Sequence, residues 1–345
     1  MQALFNEPQI VSAIIDRTMQ TKFDTTIWGK YLDLQETKSR VFKTYAGTIS
    51  RVAVGSMIDQ HAAKPIRKRK EIGSGYCEVG SFGDSFQMDN ARLDELAGLI
   101  KKYNGHPSDA GVNEIVEFLT DDYREVLLAP MLAIDKMLSD ARSRGKFMIN
   151  INGGETREIA LPVQTKTFST NEQKTLITTL RNYLEEQATA GYNYAIAEMN
   201  SNTFYNKFVK SDEFKGAFSL KNGSTTINPG SVISSDMAST FMKSVGIDLD
   251  MNITNEVYQL SDESTYKGFA DNAISLLPSQ KIGKLKYYQD SEWSDKVDGK
   301  TYTQAHGGSV LISSQRTEEG RFLDYKANLA PDIAAPNKMA IVTLQ

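Results

Sequence analysis

The stretch VNEIVEFLTDDYREVLLAPMLAIDKMLSDARSRGKFMINING, residues 112–153, decides the fold. From Ile115 to Ala141 its apolar residues recur every three or four positions, which places them on one face of a helix. The pattern predicts a helix from about Val112 to Arg144, on the order of 45 Å long. A helix of that length crosses a whole domain and acts as its spine. Pro130 lies inside it, and we expect this residue to kink the helix or to split it in two.

A β-hairpin is predicted directly after this helix. Apolar residues alternate with polar ones on both sides of a gap, at Phe147, Ile149 and Ile151 and again at Ile159, Leu161 and Val163. The gap holds Asn152-Gly153-Gly154-Glu155, and Asn-Gly pairs readily adopt the positive φ angles of a tight hairpin turn. The sequence therefore predicts two antiparallel strands that turn at Asn152-Gly153.

The rest of the chain mixes helices and strands. Apolar spacing predicts helices at about 88–103, at 170–190 with Gly191 as the stop, and around Phe204, Tyr205 and Phe208. Short strands are predicted at 192–196, 251–259, 272–277, 283–288, 309–313 and 338–344. Since strands and helices do not alternate strictly, the pattern indicates an α+β fold and not a doubly wound sheet.

Composition excludes several classes of protein. The 345 residues suffice for one large domain or two ordinary ones, and the mean hydropathy of −0.39 is that of a soluble chain. The longest apolar stretch, Val126 to Ile134, is far shorter than the roughly 20 residues of a membrane span. The net charge of −4 disfavours binding to phosphate backbones. Cys77 is the only cysteine and the N-terminus lacks signal-peptide features, so we expect folding in a reducing cytoplasm.

Residues 50–89 are basic and rich in glycine, with few side chains that could fill a core. We interpret them as an extended loop, because glycine at this density favours mobile or extended backbone. A loop this long inside a compact domain is unusual, so we expect its partner to be another chain. The candidate inter-subunit contacts are Arg67, Lys68, Arg69, Lys70 and Glu71. A nucleic-acid patch and a solvated strip are the alternatives for the basic run.

Several patterns imitate sites of chemistry without completing them. Gly73-Ser74-Gly75 with Gly80 has the wrong spacing for a dinucleotide-binding loop and follows no apolar strand. A calcium loop starting at Asp248, Asp250 and Asn252 would need Gly and Glu where Ile253 and Gln259 stand. The three histidines, His61, His106 and His306, lack ligand spacing. We therefore expect no enzyme, no catalytic residue, no cofactor and no metal site.

The order of segments along the chain is similar to that of one protein family. A basic, glycine-rich loop precedes a long helix, and the helix enters a strand pair through Gly-Lys-aromatic. The further matching segments are Thr203–Val209 with Ser211–Lys215, Phe269–Ala273, Gly283–Tyr288, Leu329–Pro331 and Ala340–Leu344. From about residue 20 onward, this order and spacing resembles the major capsid (major head) proteins of lambda-like tailed bacteriophages, the capsid protein E family.

The resemblance implies a Hong Kong 97-like capsid fold of the α+β class. It implies an N-terminal arm at 1–49, an extended loop at 50–89 and a peripheral domain at 90–168 that holds the spine helix and the hairpin. An axial domain would follow at 169–300, and residues 301–345 would return to the peripheral domain.

The resemblance also implies a viral structural protein without enzymatic activity. Such subunits form the hexamers and pentamers of an icosahedral shell that encloses double-stranded DNA without reading its sequence. The implied partners are further copies of the chain, a portal, a decoration protein where the shell carries one, and a scaffolding protein, which would be separate because matching segments begin near residue 20. The location would be the virion, after assembly in the bacterial cytoplasm, with no membrane contact. The alternative is an encapsulin-like shell of a cellular nanocompartment, and an α+β hydrolase is a third class that lacks a paired acid, base or nucleophile.

Overall fold

The structure is a computed structural model, and it describes residues 14–18, 26–46, 73–102, 109–150, 156–221, 233–260, 262–279, 281–333 and 338–345. Residues 14–18 are helical. The α-helices that follow are α1 (Trp28–Tyr31), α2 (Asn90–Lys102), α3 (Asp109–Arg144), α4 (Thr170–Lys174), α5 (Leu176–Ala190), α6 (Ser201–Thr203), α7 (Asp212–Lys221) and α8 (Ser235–Ser244). A π-helical turn spans Phe204–Val209, and 3-10 turns span Ser291–Trp293 and His306–Gly308.

The strands of the first half are β1 (Leu32–Glu36), β2 (Val41–Ala46), β3 (Gly73–Glu78), β4 (Gly80–Asp89), β5 (Lys146–Asn150), β6 (Thr156–Ala160), β7 (Gln164–Phe168) and β8 (Ile196–Met199). Those of the second half are β9 (Asp250–Ile253), β10 (Val257–Gln259), β11 (Thr265–Lys267), β12 (Ala273–Leu277), β13 (Gly283–Tyr287), β14 (Lys300–Ala305), β15 (Val310–Arg316), β16 (Gly320–Asp332) and β17 (Ala340–Leu344). Helices and strands are thus mixed, and the predicted α+β class is confirmed.

The spine helix is α3, which runs for 36 residues. Its apolar face is buried in the first hydrophobic cluster, as the spacing in the sequence predicts. The helix continues through Pro130 without a break, so the predicted split is wrong. Proline removes only one hydrogen bond of the ladder, and Val126, Leu127 and Met131 beside it are at most 1% exposed, so that packing holds the helix together there.

Glycine fixes the exit from the spine helix. Gly145 has a φ of +71°, a left-handed conformation that side chains disfavour. A Cβ atom there would also lie 2.8 Å from Cγ2 of Val163. The chain then enters β5, which pairs antiparallel with β6 from Lys146 opposite Ala160 to Asn150 opposite Thr156. The predicted hairpin is confirmed, and its Asn152-Gly153 turn lies outside the described residues.

The first sheet has six strands and packs on the spine helix through β16. Its order is β1-β13-β16-β15-β14, and β4 also pairs with β16. The edge strand β1 runs parallel to β13, while β13, β15 and β4 all run antiparallel to β16. The first sheet therefore joins the N-terminal part of the chain to its C-terminal third.

Strand β16 was not predicted, and it changes the interpretation of the glycine-rich loop. All ten residues of β4 pair with β16 of the same chain, from Gly80 opposite Leu329 to Asp89 opposite Gly320. Val79 and Met88 are only 2% and 3% exposed. The expectation that residues 50–89 find their partner on another chain is thus wrong for 73–78, which pair with β2, and for 80–89, because both strands form their backbone hydrogen bonds within their own subunit.

The second sheet has the order β7-β17-β12-β8-β9. Helices α5 and α8 pack on it around a second hydrophobic cluster. The predicted helix at 170–190 is interrupted at Thr175, and its start carries a capping box between Ser169 and Glu172. Gly191 ends it with a φ of +101°, as predicted. The strand predicted at 192–196 begins only at Ile196.

Candidate functional site

The candidate site is a group of buried polar side chains where the spine helix meets the two sheets. We call it the charged junction and define it by Tyr31, Asp135, Ser139, Arg142, Glu198, Glu256 and Tyr258. Three members lie on the buried face of the spine helix, and the others come from α1, β8 and residues 256–258 at the start of β10. Four stretches that are distant in sequence therefore build one site.

Arg142 is the centre of the charged junction and is completely buried. Its guanidinium forms salt bridges with Glu198 and, at 2.6 Å, with Oε1 of Glu256. The side chains of these two glutamates are 4% and 9% exposed. Ion pairs this deeply buried are strongly destabilised when one partner is lost, because the remaining charge stays in a medium of low polarity.

Tyr31 links the N-terminal part of the chain to this ion pair. Its hydroxyl accepts a hydrogen bond from Nη1 of Arg142 at 2.9 Å and donates one to Oε1 of Glu198 at 2.6 Å. Its ring also lies 4.2 Å from the guanidinium carbon, a distance that favours cation–π attraction. Burial raises the pKa of Tyr31 well above its usual range, so the hydroxyl stays protonated.

Asp135 holds the same N-terminal part by its backbone. Its two carboxyl oxygens accept hydrogen bonds from the N–H groups of Ile27 and Trp28, both at 2.8 Å. Asp135 is 1% exposed. Burial raises the pKa of Asp135 to about 7, and the negative charge of Glu256 raises it further. The hydrogen bonds from the two N–H groups and the positive charge of Arg142 act in the opposite direction and lower it.

A second tyrosine closes the charged junction on the side of β10. The Tyr258 hydroxyl lies 3.1 Å from Oγ of Ser139 and donates to Oε2 of Glu256 at 3.4 Å. Glu256 also accepts from the Thr254 hydroxyl. The junction as a whole places one guanidinium against two carboxylates and a third carboxyl group. This arrangement suits a link between chain segments, since Arg142 of the spine helix contacts Tyr31, Glu198 and Glu256 from three other parts of the chain.

The residues proposed from the sequence as inter-subunit contacts, Arg67 to Glu71, lie outside the described residues. The incomplete calcium pattern is in and before β9, where Asp250 forms a salt bridge with Lys243. Phe204 and Phe208, around which a helix was predicted, are fully buried in the second hydrophobic cluster. Within the described ranges, no group of three or more His, Cys, Asp or Glu side chains could hold a metal ion.

A crevice of about 230 Å³ lies elsewhere, on the surface beside α5. Arg181, Tyr192, Tyr194 and Asp248 are among the side chains that line it. Arg181 donates to the carbonyl oxygen of Val245. None of the residues of the charged junction takes part in it.

Sequence reasoning missed the charged junction, although one signal points to it. Asp135 and Arg142 occupy positions on the apolar face of the spine helix, in step with the buried Met131 and Leu138. Charged residues are almost never fully buried unless they are paired. A charge on the core face of a long helix therefore predicts a buried partner, but the pattern does not identify that partner.

The comparison with known proteins identifies the fold. No family model matches the chain, and no curated protein matches its sequence. Among solved structures, the chain is similar to a prophage protein of Escherichia coli CFT073 that is assigned as a capsid protein, with 12% identity, a TM-score of 0.58 and coverage of 98% of this chain and 99% of that one. It is also similar to a phage-related protein of Bordetella bronchiseptica RB50, with 6% identity, a TM-score of 0.50 and 96% coverage of both chains.

The fold is therefore that of phage capsid proteins, as the resemblance in the sequence implied. The match extends over nearly the whole of both chains, so the two sheets and the spine helix belong to one shared architecture. A further similar structure, the capsid of the Myoviridae phage XM1, is 9% identical with a TM-score of 0.47 and 94% coverage of both chains. In the part of the chain that the structure describes, no helix is long and apolar enough to cross a membrane.

Proposed function

We propose that this chain is the major capsid subunit of a tailed bacteriophage and has no enzymatic role. The observation that carries the proposal is the capsid fold, which is shared over 98% of the chain with the prophage capsid protein. Folds alone do not fix function. Here the net charge of −4 agrees with a shell that surrounds DNA without binding its phosphates tightly. The charged junction ties segments of the subunit together and shows no arrangement for chemistry.

The two hydrophobic clusters support a division into two regions. The first cluster joins the spine helix, the β5–β6 hairpin and the first sheet, and we propose it as the peripheral region. The second joins α5, α8 and the second sheet, and we propose it as the axial region, near the centre of hexamers and pentamers. Strand β13 belongs to the segment 169–300 that the sequence assigned to the axial domain, but it lies in the first sheet. We therefore propose that the boundary between the two regions follows the hydrophobic clusters and not the order of the chain.

Assembly is proposed to use the basic loop. Arg67, Lys68 and Arg69 would face acidic groups of a neighbouring subunit, with Lys70 and Glu71 beside them. Each partly exposed ion pair contributes only about 0.2–1 kcal/mol, but a closed shell repeats the contact at every subunit. The partners that would complete such a particle are a scaffolding protein, a portal and double-stranded DNA, and its location would be the virion.

The test is electron microscopy of the expressed full chain, alone and with the scaffolding protein encoded beside its gene. Closed shells or tubes are expected for the parent. Replacing Arg67, Lys68 and Arg69 by Glu should abolish them, while replacing the same three by Gln should only weaken assembly, since neutral side chains do not repel the acidic neighbour.

Circular dichroism and melting of the free subunit provide the control, because neither triple variant should change them. Normal shells from the Glu variant would remove the loop contact from the proposal. A parent that stays monomeric under every condition would overturn the capsid function itself. Shells that fill with an enzyme encoded beside the gene, and not with DNA, would favour the encapsulin-like alternative.

A further inference from the structure

The proline in the middle of the spine helix makes one turn of that helix weaker than the rest. Pro130 has no N–H group to donate to the carbonyl oxygen of Val126, and its ring presses against that carbonyl group. Val126 is completely buried, so bulk water does not supply the missing donor. The helix nevertheless continues beyond Pro130 to Arg144.

A side chain from the first sheet bonds to the next carbonyl group of the same turn. Nε2 of His306 lies 3.0 Å from the carbonyl oxygen of Leu127. Because a carbonyl oxygen can only accept, Nε2 carries the proton and donates it. In a regular α-helix the same carbonyl group accepts from the N–H group of Met131, and its two lone pairs allow both bonds. His306 therefore reaches the helix at the first hydrogen bond after the one that proline removes.

The turn that carries His306 has an unusual backbone. His306, Gly307 and Gly308 form the 3-10 turn between β14 and β15, and their φ angles are +49°, +65° and +90°. Residues other than glycine disfavour such left-handed angles, so His306 keeps its conformation only where the surrounding structure fixes it.

Contacts with the first sheet fix this turn. The hydroxyl group of Tyr287, in β13, donates to the carbonyl oxygen of Gly307 at 3.3 Å, and Oγ of Ser309 donates to that of His306 at 2.9 Å. A Cβ atom at Gly307 would lie 3.1 Å from Cδ2 of Leu34 in β1, so the turn also contacts the edge strand closely. The first sheet thus holds the imidazole ring in position against the helix.

We propose that Pro130 is a hinge in the spine helix and that His306 restrains it. The hydrogen bond to Leu127 fixes the weak turn to the first sheet, so that residues 109–129 and 131–144 move as one rigid rod. Without this bond the helix opens locally after Pro130, and the part that carries Asp135 and Arg142 is no longer coupled to the first part. The restraint acts within the free subunit, so it does not depend on the proposed capsid function.

The experiment is hydrogen exchange of the Met131–Ile134 amides in the full-length chain. Their protection factors are taken relative to those of β12 in the second sheet, so that a change in global stability cancels. His306→Asn tolerates the positive φ but is too short to place an N–H group where Nε2 lies. Relative protection should therefore fall roughly 3- to 10-fold, as expected for the loss of one hydrogen bond. His306→Gln can bring its amide nitrogen close to the position of Nε2 and should keep most of the protection.

Two further variants separate the hinge from the turn. Ser309→Ala removes a hydrogen bond of the same turn without changing the imidazole ring, and relative protection should stay at the parent value. Pro130→Ala restores the missing N–H group, so His306→Asn should have a much smaller effect in its presence.

The proposal is overturned if relative protection is unchanged in His306→Asn, or if it falls as far in His306→Gln. An equal fall in His306→Asn with and without Pro130→Ala would also overturn it. The comparison of His306→Asn with His306→Gln is decisive by itself if Pro130→Ala does not fold.

Discussion

Replacement of Arg142 tests whether the charged junction holds the subunit together. In Arg142→Met the side chain keeps a similar volume, but Glu198 and Glu256, whose side chains are 4% and 9% exposed, lose the cation that pairs with them. Breaking a buried ion pair on one side costs about 3–5 kcal/mol, because the remaining carboxylates are neither hydrated nor paired. Total stabilities are only about 5–15 kcal/mol. We therefore expect a large fall in the urea midpoint at neutral pH, followed by far-UV circular dichroism.

A matched control separates burial from charge. Lys146 forms a salt bridge with Glu158 at 2.9 Å, and these side chains are 52% and 46% exposed. Lys146→Met should cost less than about 1 kcal/mol, as exposed pairs do. The combination of Arg142→Met with Glu198→Gln and Glu256→Gln should recover much of the loss, since it removes the uncompensated charges. If Arg142→Met costs no more than Lys146→Met, the junction does not stabilise the fold.

Two further predictions concern close packing and acid stability. At Gly283 a Cβ atom would lie 2.2 Å from the carbonyl oxygen of Asp332, so Gly283→Ala should lower the free energy of unfolding by about 1–3 kcal/mol, measured in a thermal melt. The control is Gly98→Ala in α2, where no atom lies within 4 Å of the added Cβ atom, and it should raise the free energy of unfolding by about 0.5–1 kcal/mol. Equal effects of the two variants would contradict the close approach of β13 and β16. Burial lowers the pKa of His306, so the unfolded chain takes up this proton first, and the contribution of His306 to stability should fall as the pH drops below about 6.5. Asp135, whose pKa is raised to about 7, contributes with the opposite sign over this range, so the effect is read from the difference between parent and variant. His306→Asn should lose this component in urea midpoints measured from pH 7 to pH 5, and an unchanged slope would argue against it.

Local patterns in the sequence predicted the elements that depend on local spacing. The spine helix and the β5–β6 hairpin follow from periodicity and turn residues, and both are present. Strand β16 was missed because it is nearly buried on both faces, so polar and apolar residues do not alternate along it. The part of the glycine-rich loop that forms β4 was misassigned for a different reason, since its partner strand lies more than 200 residues away.

The charged junction could not have been predicted from spacing. Its members come from α1, the C-terminal part of the spine helix, β8 and residues 256–258, and no sequence rule brings these four regions together. Only the charges at Asp135 and Arg142 on an apolar helix face marked the site. The identity of the partners depends on the pairing of the two sheets around the spine, which is a property of the tertiary structure.

The position of β17 determines when the subunit can finish folding. Residues 340–344 insert between β7 and β12, parallel to one and antiparallel to the other. During synthesis, β7 and β12 leave the ribosome long before β17. Until β17 follows, their strand edges are unpaired, and unpaired edges promote contacts with other nascent chains. Closing so long a loop is also slow, because the entropy is lost before the pairing compensates for it. The second sheet is thus completed only after residues 340–344 have left the ribosome, and its finished surface cannot appear before then.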